Sequence, residues 1–430
     1  MKVLIIHNSY QQAGGEDVVA ARESRLLGSQ GHTVISYDRS NHELKKLSAS
    51  KRLLLLKDII YSQDSKREIQ TILRREEPDM VHVHNTFMMI SPSVYEACRE
   101  TGTPVLQTLH NYRLLCPAWT LSRDGKICED CVEGGLWNGV WHGCYRNSRV
   151  MTAAVAAMLQ FHRISGTWEN SVDGYVALSE FAKSKFIQGG LPHDKIHVKP
   201  NFVETDPGEK TEPGRFGLFV GRLSPEKGIQ TLISAWARMK NGYPLVVVGD
   251  GPLRESLEAE VRSQESSSVT FKGWLPQRET QATMKLAAFL VAPSVWYEGP
   301  LTLAEAFACG TPVLCSRLGV MQEIVEDRWT GLHFNPGDAE DLTSKVNWIL
   351  DHPQKLVEMG KAARSEYENR YTAEQNYHLL MRIYEQTIGD CSRNLGINPG
   401  PALSLEQCPE ANFPQALEIQ NSPVSSVNNQ

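Results

Sequence analysis

The chain has 430 residues, 41% of them hydrophobic, and a formal net charge of −6. That length accommodates two or three domains of about 100–200 residues each, and the mild acidity gives nucleic acid no reason to be the main partner. The first apolar run is broken at His7 and Asn8, too early for a signal peptide, and no stretch approaches the ~20 apolar residues of a membrane span. A cytoplasmic protein is therefore expected, and its nine cysteines are expected to be reduced thiols and not a disulfide framework.

Short Val/Ile/Leu-rich runs alternate with helical ones, which predicts βαβ units and a mostly parallel sheet. In the first half the predicted strands are Val3–Ile6, Thr33–Ser36, Met80–Val83, Val105–Leu109 and Tyr175–Leu178. The loop after the first strand carries Gly14 and Gly15, where the backbone can approach a ligand closely or simply turn; the G-x-G-x-x-G of a nicotinamide site is missing. The run from Lys51 to Lys57 reads as a buried helix with basic ends or as an amphipathic segment touching an anionic leaflet. His110 follows the strand ending at Leu109, at the carboxyl edge of the sheet, and is either structural or functional. Cys116, Cys128, Cys131 and Cys144 follow as C-x11-C-x2-C-x12-C inside an insertion at about 113–150, a pattern that fits a structural zinc and also fits four reduced thiols. Because this insertion starts so soon after His110, loss of a metal there is expected to disturb the first-half side of the cleft alone.

A charged, Pro- and Gly-rich segment at 204–215 reads as a linker between domains at 1–203 and 216–372. Beyond it the strands Gly217–Val220, Leu245–Val248, Val269–Lys272, Phe289–Ala292, Val313–Cys315 and Gly331–Phe334 repeat the pattern. Ser224-Pro225-Glu226-Lys227 has the grammar of a capped helix start, with Arg222 and Lys227 as two cations where the macrodipole disfavours them unless an anion lies between. After the Phe289–Ala292 strand come Glu298, Gly299, Pro300 and Leu301, then Glu305, which is either the N3 acid of a capping box with Thr302 or an acceptor for ribose hydroxyls. Carboxylates suited to sugar hydroxyls lie near cations suited to a diphosphate, at the strand ends where open α/β sheets bind ligands, so the chemistry points to a nucleotide-sugar. The stretch 373–390 is expected to form a helix that packs back on the first domain, and 391–430 is expected to be disordered.

The chain resembles the retaining glycosyltransferases of family 4 over roughly residues 1–388, through GGED (14–17), LHNYRLLCP (109–117), ALSEFAK (177–183), KPNFVE (199–204), VGRLSPEKG (220–228), VVVGDGP (246–252), FKGWLP (271–276), the Glu298–Glu305 block and EIVEDRWTGLHFNPGD (323–338). The resemblance implies the GT-B fold, two doubly wound Rossmann-like domains facing across a cleft. It implies that Arg222 and Lys227 hold the donor diphosphate without a catalytic metal, and that Glu305 holds the ribose. Glu298 with the Gly299–Leu301 backbone would then address the transferred sugar, Gly14 and Gly15 would lie beside donor and acceptor, His110 near the reacting sugar, and Leu275 near the base. Six residues separate Glu298 from Glu305, one fewer than the family usually has, which bears on the contact Glu298 makes. The expected function is transfer of a hexose from a UDP- or GDP-sugar to a glycan or lipid-linked acceptor, with peripheral contact at the inner membrane face. A nucleotide-sugar epimerase and a non-catalytic nucleotide-sugar-binding scaffold are the alternatives.

Overall fold

The computed structural model describes residues 1–11, 14–46, 57–239, 242–263, 268–297 and 299–394. Glu298, most of the Lys51–Lys57 run and the tail beyond 394 lie outside the described residues.

The first half forms a six-stranded parallel sheet from β1 (Lys2–Ser9), β2 (Thr33–Ser40), β3 (Met80–Asn85), β4 (Val105–Leu109), β7 (Gly174–Ala177) and β8 (Ile196–Val198), in the order β2-β1-β3-β4-β7-β8. Every residue of β3, β4 and β7 is buried, because helices cover both faces of the sheet. The second half repeats the plan with β9 (Gly217–Val220), β10 (Leu245–Val248), β11 (Val269–Gly273), β12 (Phe289–Ala292), β13 (Val313–Ser316) and β14 (Gly331–Phe334), ordered β11-β10-β9-β12-β13-β14. Two doubly wound Rossmann-like units result. Strand β8 escaped the sequence reading, being three residues long between Lys195 and Lys199. So did the two-residue hairpin strands β5 (Ser122–Arg123) and β6 (Lys126–Ile127).

Each sheet reverses its strand order once, between β1 and β3 and between β9 and β12. Ligands of open α/β sheets bind beyond the carboxyl ends of the strands at such switch points. The loops of interest leave β1, β4, β9 and β12, so both switch points are furnished with the predicted residues.

The 204–215 segment is fastened at both ends. Glu204 accepts from Arg25 of the first half at 2.6 Å, Asp206 accepts from Arg364 at 2.6 Å, and the Lys210 amide donates to the Cys309 carbonyl at 3.0 Å. The last described helix, Ala373–Asn394, lays Leu380, Met381, Ile383 and Tyr384 against Val3, Ile5, Met80, Leu106 and Val176 of the first sheet. Removing these apolar side chains from water is worth about 1.5–3 kcal/mol each.

Candidate active site between the two sheets

On the second-half side, the turn after β9 departs from the predicted helix start. Pro225–Lys227 is a single 3-10 turn, and the α-helix, Ile229–Ala237, begins only after Gly228 at φ +66. Ser224 makes no capping bond; its hydroxyl donates to Glu226 at 2.5 Å. Gly228 explains the break: a Cβ there would overlap the Pro293 carbonyl oxygen, so the chain can only turn tightly against the loop beyond β12. The Val295 amide donates to the Glu226 carbonyl at 3.0 Å, and the Lys227 ammonium lies 5.8 Å from the centre of the Trp296 ring. Turn and loop therefore form one unit. Arg222 stands exposed at its edge and Lys227 is half-buried.

Gly299 is pressed against Val320, whose Cγ1 would lie 2.5 Å from any Cβ added there. The next helix, Leu301–Ala308, has Pro300 as its N-cap and no side-chain capping bond. Glu305 is therefore at the fifth helical position and not at N3, which overturns the capping-box reading. Its carboxylate crosses to the first half and accepts from Arg22 at 2.8 Å, the two side chains being 10% and 3% exposed. Arg22 also donates to the Phe202 carbonyl at 3.2 Å. Leu275 is half-buried against the core of the second half, beside the exposed Trp274.

On the first-half side, Gly14 is the N-cap of the Gly15–Ser29 helix, and its amide donates to Asp17 at 2.7 Å. The other oxygen of that carboxylate holds His7 at 2.8 Å. A Cβ on Gly15 would lie 3.8 Å from Leu301 Cδ1, so the first-half glycine faces the donor loop predicted for the second half. Glu16 was not singled out from the sequence. It is half-buried, takes hydrogen bonds from Asn85 at 2.8 Å and Asn111 at 2.9 Å, and is raised by burial to about 7 despite the field of His7. The carboxyl is thus close to half-protonated at neutral pH.

His110, at the end of β4, meets His84 of β3 at 2.9 Å between ring nitrogens, with the rings stacked. Burial drives His110 down to about 3, so it acts as a neutral hydrogen-bonding group. Behind it the fully enclosed Glu23 lies 3.6 Å from His84 and 3.7 Å from His82, and takes the Lys199 ammonium at 2.5 Å. Burial alone would raise the Glu23 carboxyl; Lys199 and His84 overrule it and hold it below the usual range. Glu23, His82 and His84 lie close enough together to suggest a metal. However, His82 already spends both nitrogens on Tyr384 and Thr108, and Lys199 fills the cationic place beside Glu23. Lys199 neutralises the trio, while Glu23 Oε2 and His84 Nε2 stay buried without a hydrogen-bond partner.

The insertion between β4 and β7 leans on the second half. Trp119 stacks edge-on with Trp296 at 5.3 Å, and Tyr112 with Tyr297 at 6.4 Å. The insertion holds Cys116, Cys128, Cys131 and Cys144, four of the eight free thiols among the described residues. Cys116 and Cys131 share a hydrogen bond, which draws the Cys116 thiol down to about 6. Among the described residues, no helix is long and apolar enough to cross a membrane.

Of the second-half residues, the Lys227 turn is brought against the Pro293–Trp296 loop, whereas Glu305 pairs with Arg22 and Glu298 lies outside the described residues. Of the first-half partners, Glu23, His84 and Arg22 carry no local motif, and the GGED and KPNFVE motifs that hold Glu16 and Lys199 say nothing of the distant residues each one meets.

Comparison with known proteins places these loops in a family. The model for Glycosyltransferase Family 4 matches residues 13–207, and that for Glycosyl transferases group 1 matches residues 204–366. A 2-deoxystreptamine glucosyltransferase of Streptomyces kanamyceticus is 30% identical over 327 residues, 74% of this chain and 80% of that protein. An uncharacterized glycosyltransferase of Methanocaldococcus jannaschii is 29% identical over 40% of this chain, a match spanning 48% of that protein, about half its length. Among solved structures, Anabaena HepE in complex with UDP shares the fold with a TM-score of 0.62 at 16% identity, over 89% of this chain and 99% of that one.

Proposed function

The chain belongs to the group 1 glycosyltransferases, with the GT-B architecture, and we propose that it transfers a hexose from a UDP- or GDP-sugar to a glycan or lipid-linked acceptor with retention of anomeric configuration. One observation carries the reading: the Arg222–Lys227 turn is fastened to Pro293–Trp296 beyond β12 at a switch point, and Leu301, at the start of the next helix, faces Gly15 of the other half. The turn with Lys227 is thus tied to the loop beyond β12, whose helix start meets the N-terminus of the Gly15–Ser29 helix. Arg222 and Lys227 stabilise the departing diphosphate, the task a divalent cation performs elsewhere. The Gly299–Leu301 backbone with Glu298 holds the sugar, Glu305 the ribose and Leu275 the base.

The acceptor hydroxyl attacks C1 from the face that the leaving group vacates. The C1–O bond to phosphate breaks, the new C1–O bond forms, and the hydroxyl proton passes to the departing phosphate oxygen. His110 is neutral and hydrogen-bonds a hydroxyl of the donor sugar. Glu16, held by Asn85 and Asn111, is assigned to the acceptor side. A lipid-linked acceptor would hold the protein at the inner face of the membrane, in the cytoplasm.

A thermal-shift screen against UDP- and GDP-sugars tests the donor: a ligand at 100 times its dissociation constant raises stability by about 2.7 kcal/mol. Nucleoside diphosphate released only in the presence of acceptor supports transfer. Turnover without acceptor favours an epimerase, and binding without turnover across a broad acceptor panel favours a scaffold.

A further inference from the structure

We propose that Glu23, acting through His84, fixes the ring hydrogen of His110 on Nε2, so that His110 offers a bare Nδ1 and accepts a hydrogen bond from a hydroxyl of the donor sugar. Glu23 and His84 are positioning residues, and neither touches the substrate. The first ground is a row of imidazoles whose rings are held in place. His84 stacks on His82 with centroids 4.4 Å apart and on His110 with centroids 5.2 Å apart. Its Nδ1 meets His110 Nε2 at 2.9 Å. His82 is anchored in turn by Tyr384 at 2.8 Å and Thr108 at 2.7 Å. His110 is half-buried, and among the described residues nothing bonds its Nδ1.

The count of hydrogens supplies the second ground. Burial keeps both rings neutral at neutral pH, so each carries one hydrogen. The bond between them uses only one. Either His84 supplies it from Nδ1 and His110 keeps its own on Nδ1, or His110 supplies it from Nε2 and His84 keeps its own on Nε2. Glu23 decides between the two. Its Oε1 takes the Lys199 ammonium at 2.5 Å, both side chains being 0% exposed, so the carboxylate is ionised. Glu23 Oε2 and His84 Nε2 are both buried without a hydrogen-bond partner, and they stand 3.6 Å apart. That is longer than a hydrogen bond. Even so, a bare nitrogen would set its lone pair against an anionic oxygen in a low-dielectric interior, whereas an N–H turns its positive end toward it. His84 therefore keeps its hydrogen on Nε2 and accepts through Nδ1, which leaves His110 to donate from Nε2.

The consequence concerns what the site takes, and it rests on the proposed function, which sets His110 against a hydroxyl of the donor sugar. A bare Nδ1 takes a hydrogen and gives none. The sugar must present an O–H there, and one that is deoxygenated or O-methylated at that position has no hydrogen to offer. No proton is transferred along the row: Glu23 stays ionised and both rings stay neutral.

Proton–nitrogen correlation NMR of the full chain, labelled at histidine, reads which ring nitrogen carries the hydrogen, and the His110 signals are those that vanish in His110→Gln. The unmutated protein should show the hydrogen on Nε2; a hydrogen on Nδ1 overturns the proposal whether or not any variant folds. Glu23→Gln, with its oxygen kept on Lys199, turns an amide N–H toward His84 Nε2 and should move the His110 hydrogen to Nδ1. A folded Glu23→Gln protein with the unmutated tautomer overturns the role of Glu23. His84→Phe, the variant to use where Glu23→Gln does not fold, keeps a stacked ring but no nitrogen, and should leave His110 a mixture of tautomers. A His110 still wholly protonated on Nε2 in that variant overturns the role of His84. His84→Phe should also weaken nucleotide-sugar binding by about 10-fold, the worth of one hydrogen bond, and leave binding of the nucleoside diphosphate alone unchanged. Equal losses for both ligands make the row merely structural and overturn its role toward the sugar. The expected tautomer in a protein that binds no UDP- or GDP-sugar overturns the proposed function, and the sugar contact with it, and leaves the tautomer assignment standing.

Discussion

In the first sheet, β3 carries His82 and His84 toward a fully enclosed Glu23–Lys199 pair. The second sheet is backed by apolar side chains such as Leu232, Trp236, Phe289 and Phe307, with Arg222 and Lys227 out on loops. The strand orders correspond, yet one half keeps charge inside and the other keeps it at the rim. A buried charge can be held in place only by partners, since desolvating it alone costs several kcal/mol. A charge on a loop costs little to keep and is available to a ligand. The first half has therefore tied its polar groups to its own stability, and the second has left them for chemistry.

Breaking the enclosed pair should have the largest effect. Lys199→Ala strands the Glu23 carboxylate at 0% exposure and should cost about 3–5 kcal/mol in denaturant unfolding. Lys199→Met combined with Glu23→Gln should recover most of that. A loss below about 1 kcal/mol for Lys199→Ala, the level of an exposed ion pair, would erase the contrast between the halves. Arg222→Ala and Lys227→Ala should behave in the opposite way, with melting temperatures near that of the parent protein and turnover lower by about 10²–10³-fold. Turnover at the parent level in the folded double variant removes both cations from the mechanism.

The same contrast explains what was legible in the sequence. Strands β9, β10, β12, β13 and β14 and the loops beyond them could be read locally, because a buried parallel strand followed by Gly and Pro announces itself within ten residues or so. The enclosed array could not. Glu23, His82 and Lys199 are joined across the whole first half; Glu23 and His82 look ordinary in their own windows, and the motif at Lys199 does not name its partners. Local grammar also misled. Ser224-Pro225 reads as an N-cap and N1, but the close approach of Pro293 to Gly228 stops the helix after one 3-10 turn. Glu305 matched a capping box until the helix proved to begin at Leu301, which turned its carboxylate toward Arg22.

Glu305 belongs to both halves and sharpens the comparison. Glu305→Gln still accepts a hydrogen bond from Arg22 but loses its charge, and should reduce stability by about 1.5–3 kcal/mol, the worth of a charged hydrogen bond. If the carboxylate also holds ribose, the donor dissociation constant measured by calorimetry should rise by about the factor of ten that 1.4 kcal/mol represents. Lower stability with unchanged donor affinity would make Glu305 a clasp between the halves and nothing more.

The smallest effect is expected at Glu16, where the two strategies meet: it is half-buried like the first, and faces the cleft like the second. Its carboxyl is raised from an ordinary 4.5 to about 7, chiefly by burial. A raised acid binds its proton more tightly in the folded state than in the unfolded one. Its contribution to stability is therefore fully present below pH 4.5 and is lost as pH rises through 7. Glu16→Gln mimics the protonated form, keeps an oxygen for Asn85 or Asn111, and should abolish that part of the pH dependence. Parent and variant should have nearly equal unfolding midpoints at low pH, separate between pH 4.5 and about 7, and stay apart above it, with the variant the more stable. The acceptor-side role predicts a cost elsewhere, a raised KM for acceptor at pH 8 with donor affinity unchanged. Parallel stability curves across that range would mean that Glu16 is solvated and ionised like any surface carboxylate.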